Sequence, residues 1–150
     1  ERGLRRDVAQ TYALNAALND VAVSAYAAKR AYDAPRPISM IRYLAFNGRL
    51  PIVAGLTRRT GKTIEVRLGG RWVRGDRWAP PAPTPASPGY PSTTAAFAAA
   101  AEGVVGKAFA ARAAAAENAG VEQGTELPAD AAAGKQLGTA VAKRVPARLR

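Results

Sequence analysis

Histidine and cysteine are both absent from the 150 residues of the chain. Without histidine the protein lacks the commonest general acid/base, the commonest metal ligand and any Ser–His or Cys–His nucleophile pair. Without cysteine it can form neither disulfides nor thiolate metal sites. We therefore expect no metal centre, and the redox compartment stays open because a cysteine-free protein suits either setting.

Long apolar runs are also missing. No uninterrupted run of about 18 apolar residues occurs, which predicts a soluble protein without a membrane span. The charged residues 1–7 do not resemble a signal peptide. Since secreted and periplasmic proteins lose that peptide on maturation, the localisation stays open.

Acidic residues are scarce: 11 stand against 22 basic ones, for a net charge of +11. Because nucleic acids are polyanions, this positive charge makes them candidate partners. The basic residues are dispersed, with their densest clusters at Arg58, Arg59 and Lys62 and in the tail at Lys143, Arg144, Arg148 and Arg150. No known nucleic-acid motif accompanies them. We favour a solvated surface or an acidic partner, and keep nucleic-acid or polyanion binding as an alternative.

Alanine is the most abundant residue of the chain. Apolar residues make up 48% of the chain and aromatic residues 7%, which predicts one domain over residues 1–150, built from helices that pack through small side chains. Trp72, Trp78 and Phe97 are then interpreted as core or interface anchors rather than stacking platforms.

The periodicity predicts a long first helix from about Arg5 to Tyr32. Leu14, Leu18, Val21, Ala25 and Ala28 mark its apolar face. Three further apolar residues lie on its other faces and predict burial on more than one side: Tyr12, Val23 and Tyr26.

The rest of the chain divides at its prolines and glycines. We predict a short helix over 38–46, irregular chain over 48–61, and a β-hairpin of 63–67 and 71–73 around Gly69 and Gly70. Six prolines between Pro80 and Pro91 suit either a linker or the ordered rim of an active site, and we favour the rim. An alanine-rich helix over 92–116, a loop over 118–127 and a last helix from Pro128 to about Val145, ended by Pro146, complete the prediction.

Three motifs follow one another along the chain. Lys29 is followed after six residues by Arg36-Pro37; Tyr90-Pro91-Ser92-Thr93-Thr94 opens a helix; and the segment from Gly124 to Asp130 opens another. Together they resemble the signature of the vanadium-dependent haloperoxidase and type 2 phosphatidic acid phosphatase superfamily. That signature has a lysine, six residues and Arg-Pro; then Pro-Ser-Gly-His; then an arginine, five residues, a histidine and an aspartate four residues later.

The resemblance implies an all-α helical bundle of that type with a small β-hairpin insertion. It also implies an oxyanion pocket to which Lys29, Arg36 and Ser92 would contribute. Vanadate or phosphate is conceivable as a ligand through this resemblance alone, and we expect no cofactor. Only 28 residues precede Lys29, fewer than in the family, so the single domain is either partial or has residues omitted.

The positions that carry the family's chemistry differ in this chain. The proton-handling histidine falls on Thr94, the nucleophilic or vanadium-ligating histidine on Glu126, and the third-motif arginine on Gly120; Asp130 matches the aspartate. Threonine cannot shuttle protons near neutral pH, and Glu126 would repel a bound anion. The resemblance therefore implies no confident catalytic residue and a chain that is not an enzyme. The family's activities are phosphomonoester hydrolysis and halide peroxidation.

Each candidate residue also has a simpler interpretation. Lys29 and Arg36 can be basic residues near a helix end, and Ser92 an ordinary helix N-cap. Glu126 and Asp130 can be first-turn acids, or can pair with the two cations and fill the old pocket from within. We predict a pseudoenzyme that serves as a structural subunit of an oligomer with another protein chain. The alternatives are an active enzyme with altered acid/base residues and a basic polyanion binder.

Overall fold

The computed structural model describes residues 2–148, with side chains described for 3–145. Five α-helices lie in this range: α1 (Arg2–Tyr32), α2 (Pro37–Phe46), α3 (Thr93–Val105), α4 (Ala110–Glu122) and α5 (Pro128–Arg148). A three-stranded antiparallel sheet stands between α2 and α3, in the order β1 (Thr57–Thr60), β2 (Thr63–Leu68) and β3 (Arg71–Arg74). The architecture is a helical bundle with a small sheet, which confirms the coarse expectation. Arg150 and the side chain of Arg148 lie outside the described residues.

The core forms along one line of small residues on α1. Ala13, Ala17, Val21 and Ala25 are buried at steps of four residues. The first three of them belong to a cluster with two alanines of α3 and two valines of α5: Ala96, Ala100, Val141 and Val145. The sequence analysis placed Leu14 and Leu18 on this face. In the structure these two leucines are half-buried, and the buried positions are one residue earlier, at Ala13 and Ala17. The alanines lie at the centre of the contact because small side chains allow the helices to approach most closely.

Helices α3 and α5 meet backbone to backbone. A Cβ at Gly134 would lie 2.2 Å from the Ser92 carbonyl oxygen, and one at Gly138 would lie 2.1 Å from that of Ala96. Residue numbers rise together along both helices, so they run parallel at this seam. Because Ser92 starts α3 at the same seam, the contact fixes the second motif against α5.

The single long helix predicted over 92–116 was wrong. Helix α3 ends at Val105, and Gly106 follows with φ 95° and ψ −172°, an extended conformation that glycine adopts readily and that cannot continue the helix. A 3₁₀ turn follows (Lys107–Phe109), and then α4 continues to Glu122, through half of the segment predicted as a loop. Helix α5 also continues past its predicted stop at Pro146 and ends at Arg148.

The predicted hairpin is present as β2 and β3, joined by Gly69 and Gly70, both with positive φ. The prediction of irregular chain over 48–61 missed β1, which pairs with β2 from Thr57 opposite Val66 to Thr60 opposite Thr63. An edge strand with three exposed residues has no apolar alternation to reveal it. The sheet rests on α2 through buried Ile64 and the close approach of Gly75 to Ala45.

One face of α1 carries large exposed apolar side chains on either side of two exposed polar residues, Asn15 and Asn19. Leu4, Val8, Tyr12, Val23 and Tyr26 are between 53% and 71% exposed, and their spacing places them opposite the buried line. We call these five residues the α1 stripe. The predicted burial on more than one side is therefore not satisfied within the chain. None of the described helices has the length and apolarity to span a bilayer.

Candidate functional site

Four charged side chains from distant parts of the sequence meet in the interior: Lys29, Arg36, Glu126 and Asp130. Their exposed fractions are 1%, 6%, 6% and 4%. Lys29 continues the buried line of α1 by one more step of four, Arg36 is the N-cap of α2, and the two acids flank the start of α5. We call these four residues the charged cluster. Its two cations and two carboxylates balance when all are ionised.

The proline-rich segment encloses the two cations. Lys29 Nζ donates hydrogen bonds to the carbonyl oxygens of Pro88 (2.6 Å) and Gly89 (3.2 Å). Arg36 Nε donates to the Ser87 carbonyl (2.8 Å), while Nη2 donates to Ser87 Oγ (3.2 Å) and the Pro88 carbonyl (3.3 Å). The segment is thus an ordered wall over Lys29 and Arg36, as the rim interpretation expects and a free linker does not.

Glu126 lies against the guanidinium of Arg36. Arg36 Nη1 is 3.6 Å from Glu126 Oε1 and also donates to the Thr125 carbonyl at 3.0 Å. The second oxygen, Oε2, is buried and has no hydrogen-bond partner among the described residues. A buried carboxylate with one oxygen unpaired is costly unless a nearby charge compensates it.

The unpaired oxygen of Glu126 lies directly beside Gly120. A Cβ at position 120 would lie 2.3 Å from Glu126 Oε2 and 2.7 Å from its carboxylate carbon. Any larger side chain at 120 would therefore displace Glu126. The two departures from the third motif, glycine for arginine and glutamate for histidine, are in contact. The space beside the missing arginine is filled by a carboxylate from the same chain.

Ser92 and Asp130 have local structural partners. Ser92 Oγ accepts a hydrogen bond from the Ala95 N–H (3.0 Å), which confirms its interpretation as an N-cap. Asp130 Oδ2 accepts from the Leu127 N–H (3.0 Å), the reach-back contact of a first-turn acid. The Ser92 N–H also donates to the Asp130 carbonyl at 2.9 Å. Thr94 is exposed, so the structure does not bring it into the charged cluster.

The cluster changes the acidity of Lys29. Burial lowers the pKa of its ammonium group below the ordinary value, and the positive charge of Arg36 lowers that pKa further. Glu126 and Asp130 act in the opposite direction without reversing it. Folding therefore weakens proton binding at Nζ, although the carbonyl oxygens of Pro88 and Gly89 accept hydrogen bonds from the charged form.

A third buried carboxylate, outside the charged cluster, was not predicted from the sequence. Glu117 on α4 is buried, its Oε2 lies 2.7 Å from Lys135 Nζ on α5, and its Oε1 has no described partner. Neither residue belongs to a motif, and their separation of 18 positions matches no local spacing, so no sequence signal identifies the pair. Among the described residues, no three metal-ligating side chains are grouped to hold an ion.

The chain matches the family model of the VCPO second helical-bundle domain over residues 10–110. This range is 101 of the 150 residues, and the chain therefore belongs to this vanadium haloperoxidase-like family. The matched range includes Lys29, Arg36 and Ser92 and ends before Gly120 and Glu126. No curated protein and no solved structure shows a significant match.

Proposed function

We propose that this chain is a non-catalytic member of the vanadium haloperoxidase-like family that serves as a structural or assembly subunit. The observation that carries the proposal is the position of Glu126, buried against Gly120 and 3.6 Å from the guanidinium of Arg36. An anion pocket lined by Lys29 and Arg36 is thereby filled by a carboxylate of the protein itself.

The residues present do not fit bound vanadate. The resemblance places imidazoles at positions 94 and 126, and this chain has Thr94, which is exposed, and Glu126, which is an anion when ionised. Two like charges about 4 Å apart repel by about 4 kcal/mol at an effective dielectric constant of about 20. An oxyanion entering beside Arg36 would meet that repulsion and would also have to displace the carboxylate. We therefore derive no reaction step through such a ligand.

Removal of the Glu126 carboxylate is expected to restore anion binding. Glu126→Ala leaves Lys29 and Arg36 opposite Asp130 alone and vacates the volume beside Gly120. We expect phosphate or vanadate to bind this variant at least about tenfold more tightly than the wild type, because an interaction worth more than about 1.4 kcal/mol is relieved. Isothermal titration calorimetry and ⁵¹V NMR measure the binding.

The matched control is Glu117→Ala, which removes a buried carboxylate that pairs with Lys135 rather than with Arg36 and should leave anion binding unchanged. Glu126→Gln serves as a second variant that keeps the side-chain volume if the alanine variant does not fold. Wild-type protein that binds the oxyanion as tightly as the variants would contradict the proposal. Phosphomonoester hydrolysis or halide oxidation by the wild type would favour the alternative of an enzyme with altered acid/base residues.

The α1 stripe is the proposed surface for the partner chain. It presents five large apolar side chains over more than six helical turns, on the side of α1 opposite the core. Exposed apolar surface of this extent is typical of a face that another protein covers. We propose a partner from the same family, either a second copy or a complete, histidine-bearing subunit.

Substitution of charged residues into the α1 stripe is expected to dissociate the complex between this chain and its partner. Val8→Glu with Val23→Glu places two carboxylates in the proposed interface, so the native mass should fall to that of the monomer in light-scattering measurements of the complex from its own source. Ile52→Glu with Leu56→Glu is the matched control, since both residues are exposed apolar positions outside the stripe. A wild-type protein that is monomeric in its own source argues against the structural-subunit proposal.

A further inference from the structure

We propose that the outer face of the three-stranded sheet binds single-stranded nucleic acid. This proposal does not depend on the proposed function, because the sheet and the charged cluster share none of the residues that carry either one. It rests on charge, strand register and the surroundings of one tryptophan.

Positive charge is concentrated in and around the sheet. Residues 49–77 hold two acids, Glu65 and Asp76, and eight basic residues: Arg49, Arg58, Arg59, Lys62, Arg67, Arg71, Arg74 and Arg77. This segment is about a fifth of the chain and carries a net charge of +6 out of +11. The basic residues look dispersed along the sequence, but the fold gathers these eight in one region. The charge sign and density suit a polyanion.

Strand register places three of the five strand arginines on one face, whereas Arg59, opposite Ile64, and Arg71, opposite Leu68, lie on the other. Arg58 lies opposite Glu65, and Glu65 opposite Arg74, so the three form one row across the sheet. Arg67 lies opposite Trp72 in a second row on the same side. The other side carries Ile64, which is buried, and Val66, which lies close to Gly75. The outer face thus presents three arginines and a tryptophan to solvent.

Trp72 is flanked by guanidinium groups. The Cζ atom of Arg58 lies 4.4 Å from the Trp72 ring centroid, and that of Arg67 lies 6.0 Å from it. Unpaired bases stack on aromatic rings and on guanidinium planes alike. An arginine–tryptophan–arginine group therefore offers stacking surfaces beside charges that can bind phosphates.

Some of these cations form ion pairs with carboxylates of the protein, and others are unpaired and can bind phosphates. Arg58 pairs with Glu65 and Arg74 with Asp76, each at 2.6 Å, which orients two guanidinium groups on the surface. Arg67 on the outer face and Lys62 in the turn between β1 and β2 have no carboxylate partner within 4.0 Å among the described residues. Seven of the eight basic residues are arginines, whose planar fork binds phosphate oxygens in pairs.

The composition of the outer face favours single-stranded nucleic acid over a lipid surface. Its strand residues other than arginine and tryptophan are Thr60, Thr63 and Glu65, so the strands offer no aliphatic side chain for insertion into a membrane. The position of Trp72 favours unpaired bases over duplex DNA, whose bases are already stacked on one another.

The first test compares two variants of equal charge. Lys62→Gln/Arg67→Gln/Arg74→Gln removes three cations from the outer face and its β1–β2 turn, while Arg5→Gln/Arg30→Gln/Arg112→Gln removes three exposed ones from the helices. Fluorescence anisotropy with a labelled oligothymidylate of about 12 nucleotides should show at least about tenfold weaker binding for the sheet variant and about twofold for the control. A plot of the logarithm of the binding constant against the logarithm of the salt concentration should also be less steep for the sheet variant. Its slope should decrease in magnitude by about 0.7 for each phosphate that the variant no longer neutralises. Equally weakened binding in the two variants, or no binding by the wild type at low salt, overturns the proposal.

The second test separates stacking from charge. Trp72→Leu should weaken binding of the oligothymidylate several-fold while leaving the affinity for inorganic polyphosphate unchanged, and Trp72→Phe should keep most of the oligothymidylate affinity. If Trp72→Leu affects neither ligand, the face is a general polyanion surface and the nucleic-acid assignment is wrong. Tighter binding to phosphatidylserine vesicles than to the oligonucleotide likewise overturns it.

Discussion

Gly138→Ala is expected to lower the free energy of unfolding by about 3 kcal/mol, at the upper end of the usual cost of overpacking. The added Cβ would lie 2.1 Å from the Ala96 carbonyl oxygen and 2.9 Å from the Ala100 backbone nitrogen. Both are backbone atoms of α3, so no side-chain rotation relieves the clash. The helices must separate along the seam. Urea unfolding followed by circular dichroism measures the effect.

The matched control is Gly3→Ala in the first turn of α1. No atom lies within 4 Å of a Cβ built there, so alanine's higher helix propensity should raise stability by up to about 1 kcal/mol. Gly134→Ala should resemble Gly138→Ala, because its Cβ would lie 2.2 Å from the Ser92 carbonyl oxygen. If Gly138→Ala is as well tolerated as Gly3→Ala, the parallel α3–α5 seam is wrong.

Local signals in the sequence predicted several element boundaries at prolines and glycines, but not the end of α3 before Gly106. The end of α1 before Pro35, the start of α2 at Pro37 and the turn at Gly69-Gly70 all depend on backbone restrictions of those residues. Lys29 and Arg36 could be expected near each other because they flank a single proline break, close together along the chain.

Features that depend on contacts between distant segments could not be predicted in this way. The glycines of α5 look like weak points of a helix until α3 is seen against them. Strand β1 consists of charged and polar residues and is defined by its pairing with β2. The buried line on α1 runs through alanines rather than the larger leucines, because closeness of approach decided the packing.

The sequence predicted which residues form the charged cluster, but it did not predict how they contact one another. The motifs indicated Lys29, Arg36, Glu126 and Asp130 together, and an internal ion pair was one of two interpretations. Glu126 contacts Arg36 with one oxygen and Gly120 with the other. This arrangement depends on how the start of α5 packs beside α4. The same motifs indicated Thr94, which is exposed because the first turn of α3 directs it away from the core.

Arg36→Leu is expected to cost about 3–5 kcal/mol of stability, because it breaks a buried ion pair by removing one partner. The substitution leaves Glu126 and Asp130 buried with Lys29 as their sole cation in the cluster. It also removes the hydrogen bonds that the carbonyl groups of Ser87, Pro88 and Thr125 accept. The expected result is a lower urea midpoint together with increased proteolysis of the proline-rich segment, which the guanidinium no longer holds in place.

The double variant Arg36→Leu/Glu126→Leu tests whether charge or altered packing causes this effect. Removing both partners eliminates the uncompensated carboxylate, so the double variant should be more stable than Arg36→Leu alone, and a double-mutant cycle gives the coupling between the two positions. Arg58→Leu is the surface control: its partner Glu65 is on the exposed face of the sheet, where solvent screens the pair, so it should have far less effect. If Arg36→Leu is as mild as Arg58→Leu, the contact between Arg36 and Glu126 does not stabilise the fold.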